Sequence, residues 1–285
     1  MTGRMMGKLT GEVAFITGAA RGQGRAHAVK LASEGADIIA VDRCADVDTA
    51  GYNMATEADL AETVELVRAT GREISASVAD VRDLDSLQAS VDAGVARFGR
   101  LDIAIANAGI AASPTLSWDL TPDAFREMLD INVTGVWQTT KVAIPHIMAG
   151  NRGGSVILVS SMAGLRGIPG IVHYSSAKHA VAGMAKSIAN ELGWANIRVN
   201  SIHPGNVRTT MIDNEPMVRG FRPDLADPVL DDTAEVMGKL NLLPVPWVEA
   251  EVIADAVLYL VADTGRGITG AAIPVDLGAS AKFGG

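Results

Sequence analysis

The sequence predicts an α/β fold, a single domain built on a doubly wound parallel sheet of about seven strands with helices on both faces. Three observations carry this. Short apolar runs rich in Ile and Val recur along the chain, most without in/out alternation, as strands covered on both faces read. Segments with helical spacing alternate with those runs. The chain of 285 residues shows no composition break or linker before about Pro204. Right-handed crossovers between such strands build an open sheet.

Residues 13–17 open the series, and strands are predicted again at 37–41, 74–78, 101–106, 155–160, 197–202 and 272–275. Leu60, Val64 and Val67 form one helical stripe, and Leu84, Leu87, Val91 and Val95 a second. Val181, Met184, Ile188 and Leu192 form a third, and Ile253, Ala256 and Leu260 a fourth. Residues 209–246 break the pattern with Pro216, Pro223, Pro228, Pro244 and Pro246 among scattered Met, Leu and Phe. A long stretch without a period reads as an irregular substrate lid, placed at about 207–247 within the domain 1–285; an oligomer-packing arm is the alternative.

Composition excludes several functions. With 33 acidic against 24 basic residues, a net charge of −9 and 4% aromatics, the chain suits neither phosphate backbones nor base stacking, so nucleic acid is not an expected partner. A single cysteine leaves no disulfide framework and fits a reducing compartment. Residues 103–118, the longest charge-free stretch, are interrupted by Asn107, Gly109 and Pro114 and cannot span a membrane. The start, residues 1–7, carries Arg4 ahead of the short run 13–16 but leads to a glycine-rich turn rather than a cleavage site. A cytoplasmic protein is expected, in which the sequon at Asn132 stays unmodified.

The first strand runs directly into Gly18-Ala-Ala-Arg21-Gly22-Gln23-Gly24, followed by a helical stretch. Such a turn presents free backbone N–H groups and the positive end of a helix dipole to an anion, and glycines let a pyrophosphate approach. The spacing G-x-x-x-G-x-G departs from G-x-G-x-x-G, so context carries the reading. Asp42 ends the next strand, 24 residues after Gly18. A carboxylate there accepts hydrogen bonds from an adenosine ribose 2′-OH and repels a 2′-phosphate, which favours NAD over NADP. Arg43 beside it works in the opposite sense, because an arginine there accommodates a 2′-phosphate. Cys44 has no activating neighbour in sequence and reads as structural.

Tyr174-x-x-x-Lys178 opens the helical stretch that carries Val181. Positions i and i+4 share a helix face, so an ammonium can lower the phenol's pKa and prepare it for proton exchange with an alcohol or ketone. By itself this pair is a weak signal. Together with the glycine turn, Asn107-Ala108-Gly109, Asn132, Ser160-Ser161 and Pro204-Gly205, it stands in the order of the short-chain dehydrogenase/reductase family, which the whole chain resembles. The resemblance implies a seven-stranded Rossmann-type sheet, hydride transfer between NAD(P) and an alcohol or carbonyl, and a homotetramer. Carried over, it implies Tyr174 as general acid/base, Lys178 on the phenol and the nicotinamide ribose, Ser161 on the substrate oxygen and Asn132 in a water relay, with Ser160 facing the sheet. It places Asp80 and Val81 beside the adenine, Asn107 to Gly109 on the cofactor floor, and Pro204, Gly205, Val207 and Thr209 over the carboxamide. Ala106 stands where the family often has a second asparagine, which removes a polar tie between strands.

Residues 18–27, 37–42, 221–225 and 244–248 are similar to the carveol dehydrogenase-like branch. That likeness implies an NAD that stays bound between turnovers and is reoxidised by an external acceptor, the redox peptide mycofactocin. The five histidines show no metal-ligand spacing, and His173 and His179, which bracket the Tyr/Lys pair, read as structural. Arg219 and Arg222 in the lid read as solvated charge, with an anion clamp as the alternative. Pocket candidates at 110–118, 162–171 and 209–243 offer Met211, Met217, Phe221, Leu225, Met237 and Leu242, a composition that favours a compact apolar alcohol or ketone. A cyclic, terpenoid-like secondary alcohol is expected. A 3-oxoacyl or hydroxysteroid reductase shares every motif, and a non-catalytic NAD-binding scaffold is the reading from another class.

Overall fold

In a computed structural model, residues 7–111 and 114–283 are described. Residues 1–6, considered above as a leader, and Ala112 and Ser113 of the first pocket candidate lie outside the described residues, as do Gly284 and Gly285. The elements run β1 (Val13–Thr17), α1 (Gly22–Ser33), β2 (Asp37–Asp42), α2 (Glu57–Ala69), β3 (Ile74–Val78), α3 (Leu84–Phe98), β4 (Ile103–Ala106) and α4 (Pro122–Leu129). There follow α5 (Val136–Gly150), β5 (Gly154–Val159), α6 (Val172–Leu192), β6 (Ile197–Pro204), α7 (Glu215–Phe221), α8 (Ala234–Leu240), α9 (Ala250–Val261) and β7 (Ala272–Val275). All seven strands join one sheet in the order β3-β2-β1-β4-β5-β6-β7, and every pairing is parallel.

The unbroken apolar runs have a simple cause. Along β1, Val13 and Phe15 enter one core while Ala14 and Ile16 enter the other. On β4, Ala104 and Ala106 divide in the same way from Ile103 and Ile105. Side chains alternate between faces, and because helices cover both faces every position is apolar. Leu87 and Val91 of α3, Val142 and Ile147 of α5 and Val181 and Ile188 of α6 fill the first core. Ala28 and Leu31 of α1 and Ile253 and Val257 of α9 fill the second. The edge strand β3 is less covered, running from buried Ile74 to exposed Val78.

Sequence order reverses between β1 and β4, and in open parallel sheets the crevice beyond the C-terminal strand ends at that point is where ligands bind. The glycine turn after β1, Asp42 at the end of β2 and Asn107 after β4 all converge there.

Residues 207–247 are more ordered than the sequence suggests. They hold α7, a 3₁₀ turn at Leu230–Thr233 and α8, and Val218, Leu230 and Met237 form a small core of their own against Ile212, Phe221 and Trp247. Met237 and Phe221 therefore hold the segment together rather than line a pocket, and Leu242 is exposed. Two helices of seven residues each are too short to show a period in sequence. Arg219 pairs with Glu215 at 3.0 Å and Arg222 with Asp224 at 2.8 Å, so neither is a free anion clamp.

At the opposite end of the sheet, burial and then the nearby Asp102 carboxylate push the Glu12 carboxyl up to about 7. A raised carboxyl costs no stability below its unfolded value of 4.5, where it is protonated in both states. Stability is lost as pH rises from there through about 7. E12Q removes that loss: its melting temperature is expected to exceed that of the unaltered protein above pH 7 and to match it near pH 4.5. Parallel melting curves at all pH values would contradict this.

Candidate active site

The cleft at the switch point is built from the glycine turn outward. Gly18 and Gly22 adopt φ of +67° and +55°, where a side chain is strained. A Cβ on Gly18 would lie 2.8 Å from the Ala108 Cα, so the turn and the strand end after β4 touch through glycine alone. Asp42 braces the turn: its carboxylate accepts from the Ala20 N–H at 3.0 Å and the Cys44 N–H at 3.1 Å. Each oxygen keeps a lone pair for a further donor. Asn107 donates to the Thr17 carbonyl at 2.9 Å, and the Thr17 hydroxyl accepts from the Asn107 and Ala108 N–H groups. The polar tie between β1 and β4 is thus made by Thr17 and Asn107, and Ala106 is left to pack in the core.

Of the residues expected to hold a dinucleotide, Gly18, Arg21, Gly22, Gln23, Gly24, Asp42, Arg43, Asp80, Val81, Asn107, Ala108, Gly109, Tyr174, Lys178 and Thr209 line this one cavity. Pro204, Gly205 and Val207 do not; they stay at the end of the sheet, where Gly205 donates to the Val275 carbonyl at 3.1 Å and Val207 bridges Val248. Two polar atoms on the cavity wall, Gln23 Oε1 and Arg43 Nη1, are buried without a hydrogen-bond partner among the described residues. Unpartnered buried polar atoms in a glycine cradle fit a polar ligand that completes them. Arg43 Nε already pairs with Asp80 at 3.2 Å, and Arg82 grips the same carboxylate at 2.8 Å. Burial raises the Asp80 carboxyl, but the hydrogen bonds from Arg82 and the two positive charges outweigh it and hold it below the usual range.

The catalytic candidates meet beside this cavity. Tyr174 and Lys178 share one face of α6, with Lys178 Nζ 5.5 Å from the centre of the phenol ring. Lys178 is 4% exposed and donates to the Val159 carbonyl at 3.0 Å. Ser161 follows β5 with its side chain next to the Tyr174 phenol, and its hydroxyl accepts from the Ala163 N–H at 3.1 Å. Ser160 is on the cavity wall and does not simply face the sheet; its hydroxyl donates to the Lys178 carbonyl at 2.8 Å, tying β5 to α6.

The expected lowering of the phenol's pKa by Lys178 does not dominate. Burial pushes Tyr174 up to about 12, with Ser161 pulling the other way, and burial pushes Lys178 down to about 8. Removing water from both groups disfavours both charged forms, and the ammonium is turned toward the Val159 carbonyl.

Asn132 lies in a π-helical turn, Asp130–Gly135, between α4 and α5, a widened turn of the kind found at functional sites. Its amide exchanges two 2.8 Å hydrogen bonds with the backbone of Ile110. A Cβ on Gly109 would come within 3.1 Å of Asn132 Oδ1 and 3.4 Å of Lys178 Nζ, so glycine is what lets amide and ammonium lie this close to the chain.

Sequence reasoning missed one wall of the cavity. Residues 43–56 cross over it, contributing Ala45, Val47, Tyr52, Met54 and Ala55. Arg21 donates to the Asn53 carbonyl, and the Tyr52 hydroxyl accepts from the Ala111 N–H at 3.2 Å, fixing this strap at two points. Its signal was length, since βα connections usually run about 2–6 residues. Met211 lines the same cavity, and Met211 and Met217 line a small adjoining one with Tyr52.

Residues 12–217 match the family model for short chain dehydrogenases. The chain belongs to that family. It is 53% identical to a (-)-trans-carveol dehydrogenase of Rhodococcus erythropolis over 97% of this chain and 100% of the relative. Among solved structures, carveol dehydrogenase from Mycobacterium avium in complex with NAD is 47% identical, with a TM-score of 0.96 over 97% of this chain and 100% of that one. A short chain dehydrogenase from Mycobacterium paratuberculosis bound to NAD is 49% identical, with a TM-score of 0.89 and the same coverage. Within its family the chain falls in the carveol dehydrogenase-like branch.

Proposed function

We propose that this chain is a cytoplasmic NAD-dependent dehydrogenase that oxidises a small, apolar, cyclic secondary alcohol to its ketone. The observation that carries the reading is the meeting of Tyr174, Ser161 and Lys178 at the edge of a glycine-cradled cleft whose end is marked by Asp42. Bound there, the nicotinamide supplies the hydride acceptor and a positive charge. Gly18, Gly22 and Gly24 cradle the pyrophosphate, and Asp42 takes the adenosine ribose hydroxyls. Arg43 pairs with Asp80 through Nε, and the Asp42 carboxylate beside it repels a 2′-phosphate. Tyr174 moves the proton of the substrate hydroxyl, and Ser161 orients the substrate oxygen. Lys178 holds the nicotinamide ribose and passes protons toward Asn132, which like Lys178 lies against Gly109.

Met211 and Met217 provide an apolar wall without fixed charge, which favours a compact terpenoid-like alcohol over a sugar or phosphate ester. The similarity to carveol dehydrogenases supports the same class. A screen of cyclic secondary alcohols, sugars and acyl thioesters with NAD and with NADP tests this. Turnover of cyclic alcohols with NAD is expected; preference for a thioester, or equal kcat/KM with both cofactors, would overturn it.

We further propose that the strap at 43–56 retains NAD between turnovers, with an external redox acceptor of the mycofactocin type closing the cycle, and that the enzyme is a homotetramer. Exposed Phe125, Trp137 and Met148 support self-association. Native mass spectrometry of freshly purified protein is expected to show four subunits carrying NAD. A bare monomer would contradict both statements.

A further inference from the structure

His203 has no place in the scheme above, and it is not among the residues that line the cofactor cavity. Its ring is fully buried, at 0% exposure, and both nitrogens are engaged. Nδ1 lies 2.8 Å from the Ser161 carbonyl and Nε2 lies 2.9 Å from the Ser201 hydroxyl. Ser201 and His203 stand two apart on β6 and so share a face, while Ile202 between them enters the opposite core.

The contact falls where the sheet runs out. The β5–β6 ladder reaches Ser160, whose N–H donates to the Ile202 carbonyl at 2.8 Å. In a parallel pair the next donor would be residue 204 of β6, and Pro204 has no N–H to give. The imidazole takes over beyond that point. The Ser161 carbonyl also accepts from the Gly164 N–H at 2.8 Å, closing the 3₁₀ turn Met162–Gly164. Two donors thus hold one carbonyl, and a carbonyl oxygen has two lone pairs to offer.

The tautomer follows from the same partners. A carbonyl can only accept, so Nδ1 carries the hydrogen. Burial holds the ring below the usual imidazole range, so it is neutral and Nε2 is an acceptor. The Ser201 hydroxyl therefore donates to Nε2; its other acceptor, the Ala271 carbonyl, is farther away at 3.5 Å. Nothing in this arrangement touches substrate or cofactor. What it controls is the residue that carries the Ser161 hydroxyl.

We propose that His203 is a positioning residue: its Nδ1–H clamps the Ser161 carbonyl and thereby sets where the Ser161 hydroxyl meets Tyr174 and the substrate oxygen, and Ser201 selects the tautomer that can do so. This rests on the reading of Ser161 as the substrate-orienting hydroxyl. A displacement of about 1 Å at such a group costs on the order of 100-fold in rate without changing cofactor affinity.

The test compares two replacements of one ring. In H203N the amide nitrogen takes the place of Nδ1; in H203Q the amide lies near the place of Nε2. Each is measured for kcat and KM on the best alcohol of the screen, NAD binding and melting temperature, with S161A as reference. Both variants are expected to lose a similar amount of melting temperature. H203N is expected to keep kcat within a few-fold, and H203Q to lose roughly 10–100-fold with KM and NAD binding unchanged. Equal kcat in the two variants, whether both high or both reduced in step with melting temperature, would overturn the proposal. Should H203Q not fold, S201A decides: a several-fold loss of kcat at unchanged NAD binding is expected, and unchanged kcat would overturn it. Full turnover in S161A would instead remove the reading of Ser161 itself. An inactive S161A beside a fully active H203Q would remove only the part assigned to His203.

Discussion

Replacing Tyr174 with Phe is expected to lower kcat by about 10²–10⁴-fold while NAD binding persists. The ring packs against the core formed by α3, α5 and α6, and Phe keeps that contact. Only the hydroxyl, which lies next to Ser161, is lost. Burial raises the phenol to about 12, and a positive charge brought beside it by the nicotinamide would favour the phenolate, the form that accepts the proton of an alcohol. Steady-state turnover, NAD titration and a melting curve together check the result. Turnover at the level of the unaltered protein would refute Tyr174 as the proton-transfer group, and loss of NAD binding would show that the substitution damaged the cradle instead.

Gly24→Ala is expected to weaken NAD binding by at least about 100-fold and to lower the melting temperature. A Cβ there would lie 1.9 Å from the Gly18 carbonyl oxygen and 2.8 Å from Asn107 Nδ2. Neither can step aside. Gly18 is held at φ +67° against Ala108, and Asn107 is hydrogen-bonded to the Thr17 and Gly18 carbonyls. Inserting a methyl into so closed a contact costs about 1–3 kcal/mol even where neighbours relax. Gly71→Ala is the control: φ is +84° but nothing lies within 4 Å, so it is expected to strain one turn and leave NAD binding unchanged. Normal NAD affinity in Gly24→Ala would refute the cradle.

The fold was legible because its signals are local. Strands covered on both faces must be apolar at every position, so the runs in β1, β2, β4 and β5 announce themselves, with ends displaced by at most two residues at β4 and β6. The glycine turn, Asp42 and the i, i+4 pair Tyr174 and Lys178 were likewise legible. Each is defined by neighbours on one element or by the junction of two consecutive ones. Residues 207–247 were less so, because α7 and α8 are short and their core depends on Trp247 closing over them.

Local pattern was enough for the α/β class, the seven strands and the cofactor turn, and resemblance for the Tyr/Lys/Ser/Asn set. Tertiary structure alone decided how those groups behave. It set burial as the force that moves Tyr174 up and Lys178 down, against the expected direction for the phenol. It put Asn132 in a π-turn facing a carbonyl 22 positions away and made residues 43–56 a wall of the cleft. It placed the His203 ring on the Ser161 carbonyl, 42 positions away. Periodicity records which side of its own element a residue occupies. Desolvation and side-chain-to-backbone contacts between distant passes of the chain depend on how those elements are assembled, and no spacing encodes that.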